Sequence, residues 1–294
     1  MNKEFRMDRM IKSVLSFLLF SIASSAGASE TQWQDHEGII STRIIVGSND
    51  LIAAFPAQLG NQSVTGHALM AWEAKLAGGW KTYWRSPGEA GLPVRVHAGD
   101  SELELYYPVP QRFELFGLET YGYSKNVVIP FLISEADVSG NVKLNADFMV
   151  CKDICIPFKA EYNVNMASRA YGSIVADTKI TSWFKNVPVR NGSEPSGLKV
   201  TSVEVSGLAG HQKLLVEATS DFPMSKADVL AETGGMIEFH SPDRQLLKDG
   251  RSIRFVLAAM SSRKDVDISG EDVRLTVIDG RGNAIEQHIQ LPAR

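Results

Sequence analysis

Along most of the chain beyond residue 28, apolar and polar residues alternate in short steps broken by Gly, Pro, Asn and Asp. That is the pattern of antiparallel strands joined by turns. Strands are predicted over residues 64–76, 92–97, 102–107, 126–133, 142–150 and 156–166. The pattern then changes: residues 174–186 read as one short amphipathic helix, and the turn-rich stretch 188–197 puts a domain boundary near residue 190. Strands resume at 198–206, 213–219, 235–240, 252–259, 272–278 and 284–291, with Asp279 to Asn283 as a hairpin turn. The expected fold class is all-β: two β-sandwich domains in tandem, over residues 29–170 and 198–294, with a short helix and linker over 171–197 between them.

The first 28 residues are set apart from this pattern. Lys3, Arg6, Arg9 and Lys12 precede an apolar run from Val14 to Ala23, and Ala26-Gly27-Ala28 supplies small residues for cleavage, so a secretory signal ending at Ala28 is expected. The run is too short for a bilayer, which takes about 20 residues, and no later stretch is long and apolar enough, so no membrane span is expected. With 44% apolar and 22% charged residues among 294, the chain has the balance of a globular protein. A net charge of −4 argues against a nucleic-acid partner. Its two cysteines are too few for a disulfide scaffold or a four-thiolate metal site. Export puts that pair in an oxidising compartment, the periplasm, where a disulfide persists.

The cysteines lie in the most informative segment, residues 141–166. Val142, Leu144, Ala146, Phe148 and Val150 alternate before them, and Ile156, Phe158, Ala160, Tyr162 and Val164 after them. An antiparallel hairpin turning at Lys152-Asp153-Ile154 pairs Val150 with Ile156, Phe148 with Phe158 and Leu144 with Tyr162, giving one apolar face. In that register Cys151 faces Cys155, within disulfide range. A single extended strand would separate them by about 13 Å, which excludes a bridge. Both sulfurs then fall on the face that carries Asp147, Met149, Pro157 and Lys159, away from the core, where another protein reaches them. Two readings stay open. One is a stabilising bridge, although closing a five-residue loop is worth only about 2 kcal/mol in the loop-entropy model. The other is thiol exchange, in which a thiolate attacks a partner's disulfide and its neighbour resolves the intermediate. Asp153 is a candidate to relay a proton, or simply a turn former.

Three stretches, GGWKTYWRSPGEAGLPVRV (78–96), YPVPQRFELFGLETYGYSKNVVIPF (107–131) and FMVCKDICIPF (148–158), resemble the family of amino-terminal periplasmic domains of the thiol:disulfide interchange protein DsbD, in its ScsB-like branch. The resemblance covers most of the first domain and only loosely the second. It implies immunoglobulin-like sandwiches, electron relay between thioredoxin-fold partners, and Cys151 and Cys155 as the redox pair, with Cys155 as the exchanged sulfur and Cys151 as the resolving one. The bridge would be the only cofactor. The resemblance also implies that Asp153 and Pro157 support the motif, and that Phe113-Glu114-Leu115-Phe116-Gly117 forms a cap whose aromatic residue shields the disulfide until a partner docks. DsbD has more residues between its cysteines than the three here, so partner geometry does not carry over. The family's electron source is a fused membrane domain; here a separate membrane thiol transporter or a thioredoxin-like reductant is expected instead.

Other residues carry weaker signals. Trp80, Tyr83 and Trp84, beside the Pro87-Gly88 turn, suit core packing better than an exposed platform. Met149 with the two cysteines offers soft ligands for Cu(I), so the competing reading is a copper-handling or binding module with a structural bridge.

Overall fold

The computed structural model describes residues 29–60, 63–134, 140–170, 173–190, 196–235, 237–261 and 266–293; the leader predicted over 1–28 and part of the predicted linker, 191–195, lie outside them. The alternation over residues 141–165 forms two eleven-residue antiparallel strands, Asn141–Cys151 and Cys155–Asn165. Their register is the one read from the sequence: Val150 opposite Ile156, Phe148 opposite Phe158, Leu144 opposite Tyr162 and Cys151 opposite Cys155. Val142, Leu144, Ala146, Phe148 and Val150 are buried in the first core.

Two sheets enclose that core. One orders Gln34–His36, Ile40–Val46, His67–Leu76 and Asn126–Ser134. The other runs Ser101–Glu102, Arg95–Ala98, Asn141–Cys151, Lys81–Gly88, Leu118–Ser124 and Gln111–Leu115, with Cys155–Asn165 also paired to Asn141–Cys151. The sheets are stitched by a buried polar chain: Trp72 Nε1 donates to Tyr162 Oη at 3.2 Å, and Tyr162 Oη donates to Thr42 Oγ1 at 2.6 Å. Each otherwise costly buried group is thereby satisfied. The predicted helix is Ile174–Phe184, capped by Ser173 Oγ, which accepts from the Ala176 N–H. It packs Ala176, Ile180 and Phe184 on a second cluster with Ile45, Leu69 and Tyr106, on the outer face of the first sheet.

The prediction of a strand over 102–107 needs correction. Only Ser101–Glu102 is a strand, and Leu105 makes an isolated bridge to Phe131. The neighbours Tyr106 and Tyr107 are both buried, in different clusters, so this segment crosses between packing layers and cannot keep a period of two. Five strands of this domain, Gln34–His36, Ile40–Val46, Lys81–Gly88, Gln111–Leu115 and Leu118–Ser124, had no counterpart in the pattern.

The second domain is another two-sheet sandwich. Val189–Arg190, Ala284–Gln290, Asp272–Ile278 and Asp228–Thr233 form one sheet. Lys199–Ser206, Lys213–Thr219, Ser252–Met260, Glu238–Phe239 and Asp243–Leu246 form the other. The predicted turn at 279–283 closes as expected, with buried Asp279 accepting from the N–H groups of Arg281 and Asn283. Among the described residues no helix is long and apolar enough to cross a membrane.

Charged groups join the domains. Arg85 of the first reaches Glu232 at 2.6 Å and Glu286 at 2.6 Å, and donates to Thr276 Oγ1 at 3.2 Å. Arg190 ties Glu104 at 2.7 Å to Glu286 at 3.7 Å. Desolvation opposes the Arg85 charge, yet the two carboxylates prevail and raise its pKa above the ordinary value. Removing one partner of such a buried group strands the other charges. Arg85→Ala is therefore expected to destabilise the chain by about 3–5 kcal/mol, read as a lower urea midpoint by tryptophan fluorescence; an unchanged midpoint would refute the assignment.

Candidate functional site

The ribbon ends at the cysteines, and Lys152, Asp153 and Ile154 form the exposed turn, with the Lys152 N–H donating to the Ile154 carbonyl at 3.1 Å. Cys151 and Cys155 are joined in a disulfide with their Cα atoms 4.1 Å apart. Their environments differ. Cys155 is exposed, whereas Cys151 is 0% exposed, so the expectation that both sulfurs are reachable is corrected for Cys151. The cause is long-range. Cys151 ends a strand paired to Lys81–Gly88, opposite Lys81, so Lys81 and Tyr83 share its face of the sheet. Tyr83 and Leu115 then close over Cys151, with Met149 packed alongside.

Leu115 comes from the hairpin of Gln111–Leu115 and Leu118–Ser124, whose turn is Phe116-Gly117. Both turn residues have positive φ, 55° and 78°, the signature of a type I′ turn. Glycine accepts that conformation freely, whereas a bulky residue there is an outlier of the kind that collects at functional sites. Phe116 is nevertheless 67% exposed. The cap segment implied by the resemblance thus sits at the disulfide, but the buried contact on Cys151 is made by Leu115, and the aromatic residue in that contact is Tyr83 from another strand. Phe113, on the same hairpin, lies under the Lys81 ammonium at 4.4 Å, which ties the hairpin to the strand beside Cys151. Glu114 is exposed.

Tyr83, which the sequence reading gave to core packing in preference to an exposed platform, lies at this site. Its Oη lies 4.0 Å from Cys155 Sγ, and because a disulfide sulfur carries no hydrogen, only the phenol can donate. Burial pushes its pKa up, so it is a neutral hydroxyl at physiological pH. The ring is backed by Gly91, where a Cβ would stand 2.3 Å from Tyr83 Cε1; only glycine fits. The signal was the matching parity of Lys81 and Tyr83 with Cys151, readable only once their strands are known to be neighbours.

The other expected site residues are placed as follows. Asp153 is exposed at the turn, and Pro157 is exposed opposite Met149. Asp147 and Lys159 pair across the ribbon at 3.0 Å, supporting the register. Trp84 is buried in the first core and Trp80 packs partly buried against it. Three exposed apolar side chains adjoin residues of this site in the chain: Ile154 next to Cys155 at 61% exposure, Phe116 next to Leu115, and Leu92 next to Gly91 at 54%.

The burial difference predicts the order of labelling. In the reduced protein Cys155 is expected to react with iodoacetamide at least about tenfold faster than Cys151, following accessibility, as read by peptide mass spectrometry; Leu115→Ala should narrow the gap. Equal rates in the unaltered protein would contradict the cover.

Residues 49–166 match the family model described as thiol:disulfide interchange protein DsbD, N-terminal. Residues 186–294 match a model described as a domain of unknown function, DUF8393. No curated protein matches the chain closely enough to count as a relative. Among solved structures the chain is similar to the N-terminal periplasmic domain of ScsB from Proteus mirabilis, at 20% identity and a TM-score of 0.72, over 91% of this chain and 100% of that one. That likeness establishes the tandem-sandwich fold.

Proposed function

From the premise that residues 49–166 form a DsbD N-terminal-like domain, we propose that this chain relays electrons in the periplasm by thiol:disulfide exchange. In the dithiol form the Cys155 thiolate attacks a disulfide sulfur of a thioredoxin-fold partner. A mixed disulfide forms, and one partner thiolate leaves and takes a proton from water. The Cys151 thiolate then attacks Cys155 Sγ, the intermolecular bond breaks, and the partner's second sulfur departs as a thiol. Two electrons and two protons have passed to the partner, and the Cys151–Cys155 bridge has re-formed. A membrane thiol transporter or a thioredoxin-like reductant restores the dithiol. The bridge is the only cofactor that the scheme requires.

The observation that carries this reading is the unequal exposure of two sulfurs in one bond. A partner's sulfur meets Cys155 first, while Cys151 waits beneath Leu115 and Tyr83. Resolution needs no rearrangement, because the register keeps Cys151 directly opposite Cys155. Attack by one neighbour within the mixed disulfide has the advantage of proximity. Asp153, exposed one turn position from the pair, is a candidate to take up the proton released there.

Mutation separates the two sulfurs. Cys151→Ser is expected to accumulate a mixed disulfide with an oxidised periplasmic thioredoxin-fold protein, seen as a reducible band on non-reducing gels, whereas Cys155→Ser should trap little or none. A complex trapped only by Cys155→Ser would reverse the roles, and the lack of one with either variant would count against relay.

A further inference from the structure

The second domain contains no cysteine, yet it grips the parts of the first that cover the disulfide. Arg112 stands at the centre of this grip, on the same strand as Leu115. Its Nε donates to Asp228 Oδ2 at 2.8 Å, and one terminal nitrogen donates to Asp228 Oδ1 at 3.1 Å and to the Val229 carbonyl at 2.8 Å. The other terminal nitrogen donates to Ser241 Oγ at 3.0 Å, and within the hairpin to Glu119 at 2.6 Å and Tyr121 Oη at 2.9 Å. Ser241 in turn donates to Glu119, so the second domain holds both strands of the hairpin.

The grip extends to the other half of the cover. The Glu119 N–H donates to the Glu89 carboxylate at 2.6 Å, and the Glu89 N–H donates back to the Glu119 carbonyl at 3.0 Å. Two residues on, Gly91 backs the Tyr83 ring. Arg85, two residues from Tyr83 on its strand, is fixed to Glu232 and Glu286 of the second domain. Leu115 and Tyr83, the two side chains that close over Cys151, are therefore each anchored across the domain boundary by a guanidinium. A bidentate arginine–carboxylate contact fixes orientation as well as distance. A cavity of about 280 Å³ lies between the domains beside this hairpin, bordered by Glu89, Glu119, Tyr121, Glu232 and His240.

We propose that residues 198–294 act as a clamp that keeps the cover of the Cys151–Cys155 bridge closed, with Arg112 as the positioning residue that transmits the hold. The clamp rests on the relay reading for its purpose, which is to make opening of the cover a matter of domain contact rather than of the hairpin alone. Local opening sets how often a covered group meets a reagent, so weakening the clamp raises that frequency without touching either cysteine.

The test uses the full chain and a small alkylating reagent, so it needs no protein partner. In the reduced protein, the rate constant for alkylation of the covered Cys151 by iodoacetamide, with that of the exposed Cys155 as the internal reference, is measured for the unaltered protein, Arg112→Met, Arg112→Lys, Asp228→Asn and the Arg112→Met/Asp228→Asn pair, each with its thermal midpoint. Arg112→Met and Asp228→Asn are expected to speed alkylation of Cys151, relative to Cys155, by about ten- to a hundredfold, the range for losing a charge-assisted hydrogen bond. The paired variant should be little faster than either single one, because both remove the same contact, and Arg112→Lys should fall between. Hydrogen exchange should accelerate in Leu115 to Leu118 in the same variants; a role confined to overall stability would lower the midpoint and leave the exchange of this turn in step with the rest. If Arg112→Met does not fold, Ser241→Ala, which deletes one hydroxyl, carries the test with a rise of about threefold, the lower end for a single neutral hydrogen bond. Folded variants whose Cys151 is alkylated within twofold of the rate in the unaltered protein would overturn the clamp. Failure of mixed-disulfide trapping would sink the relay reading and leave this result standing.

Discussion

The site depends on one register, the pairing of Cys151 with Cys155 at the closed end of an antiparallel ribbon. Because strand side chains alternate strictly, the register that buries Phe148 and Val150 must put both sulfurs on the opposite face, and a slip of one residue would drive Asp147 and Met149 into the core. That hydrophobic cost, spread over five buried positions on one strand, fixes the cysteines more firmly than their own bond does. The face away from the core is ordinarily solvent. Here it meets Lys81 and Tyr83 on one side and Leu115 on another, and the consequence is a bond with one hidden and one open end.

Charge joins the two domains around that site, alongside apolar burial of Leu230 and Ile278 of the second domain against the first core. Arg85, Arg112 and Arg190 each reach carboxylates across the boundary or beside it, and the carboxylate of Glu286 is only 4% exposed. Ion pairs taken this far out of water contribute little net stability, because desolvation offsets most of the attraction. They are stringent about geometry, since any shift that breaks one contact leaves a buried charge. An apolar seam of equal area would tolerate sliding. The ion pairs thus specify angle and register for a cover whose two side chains, Tyr83 and Leu115, both belong to the first domain.

How much was legible in the sequence follows from the range of each interaction. The ribbon was readable to the residue because its turn is three residues long and its two flanks carry matching periods, so pairing by chemical type, Asp147 with Lys159 and Phe148 with Phe158, left one register. The helix and most strands of the second sandwich were readable for the same local reason. The cover was not. Tyr83 and Cys155 meet across 72 positions, and Arg112 and Asp228 across 116, and neither partner carries a mark that selects the other. Parity told which residues share a face within a strand; it could not tell which strand lies alongside. Ser101 to Tyr107 misled because Leu103, Leu105 and Tyr107 alternate by coincidence while Tyr106 is buried too.

The energetics of the bridge itself separate a working disulfide from a structural one. Closing a loop of five residues restrains the unfolded chain by about 2 kcal/mol, near the low end for disulfides. The strands it joins already share a ladder running from Cys151–Cys155 to Asn141–Asn165, with buried Val142, Leu144, Ala146 and Phe148 holding the inner strand to the core. Opening the bond therefore removes a small constraint from a ribbon that is fixed by other means, and both the oxidised and the dithiol forms retain the same sheet. The two sulfurs remain opposite one another after reduction, ready to re-form the bond once the outer one has been engaged. A stabilising bridge gains most where it spans a long loop between elements that would otherwise part. This one spans a three-residue turn in a ribbon that is held by its own ladder, with one of its sulfurs covered by Tyr83 and Leu115.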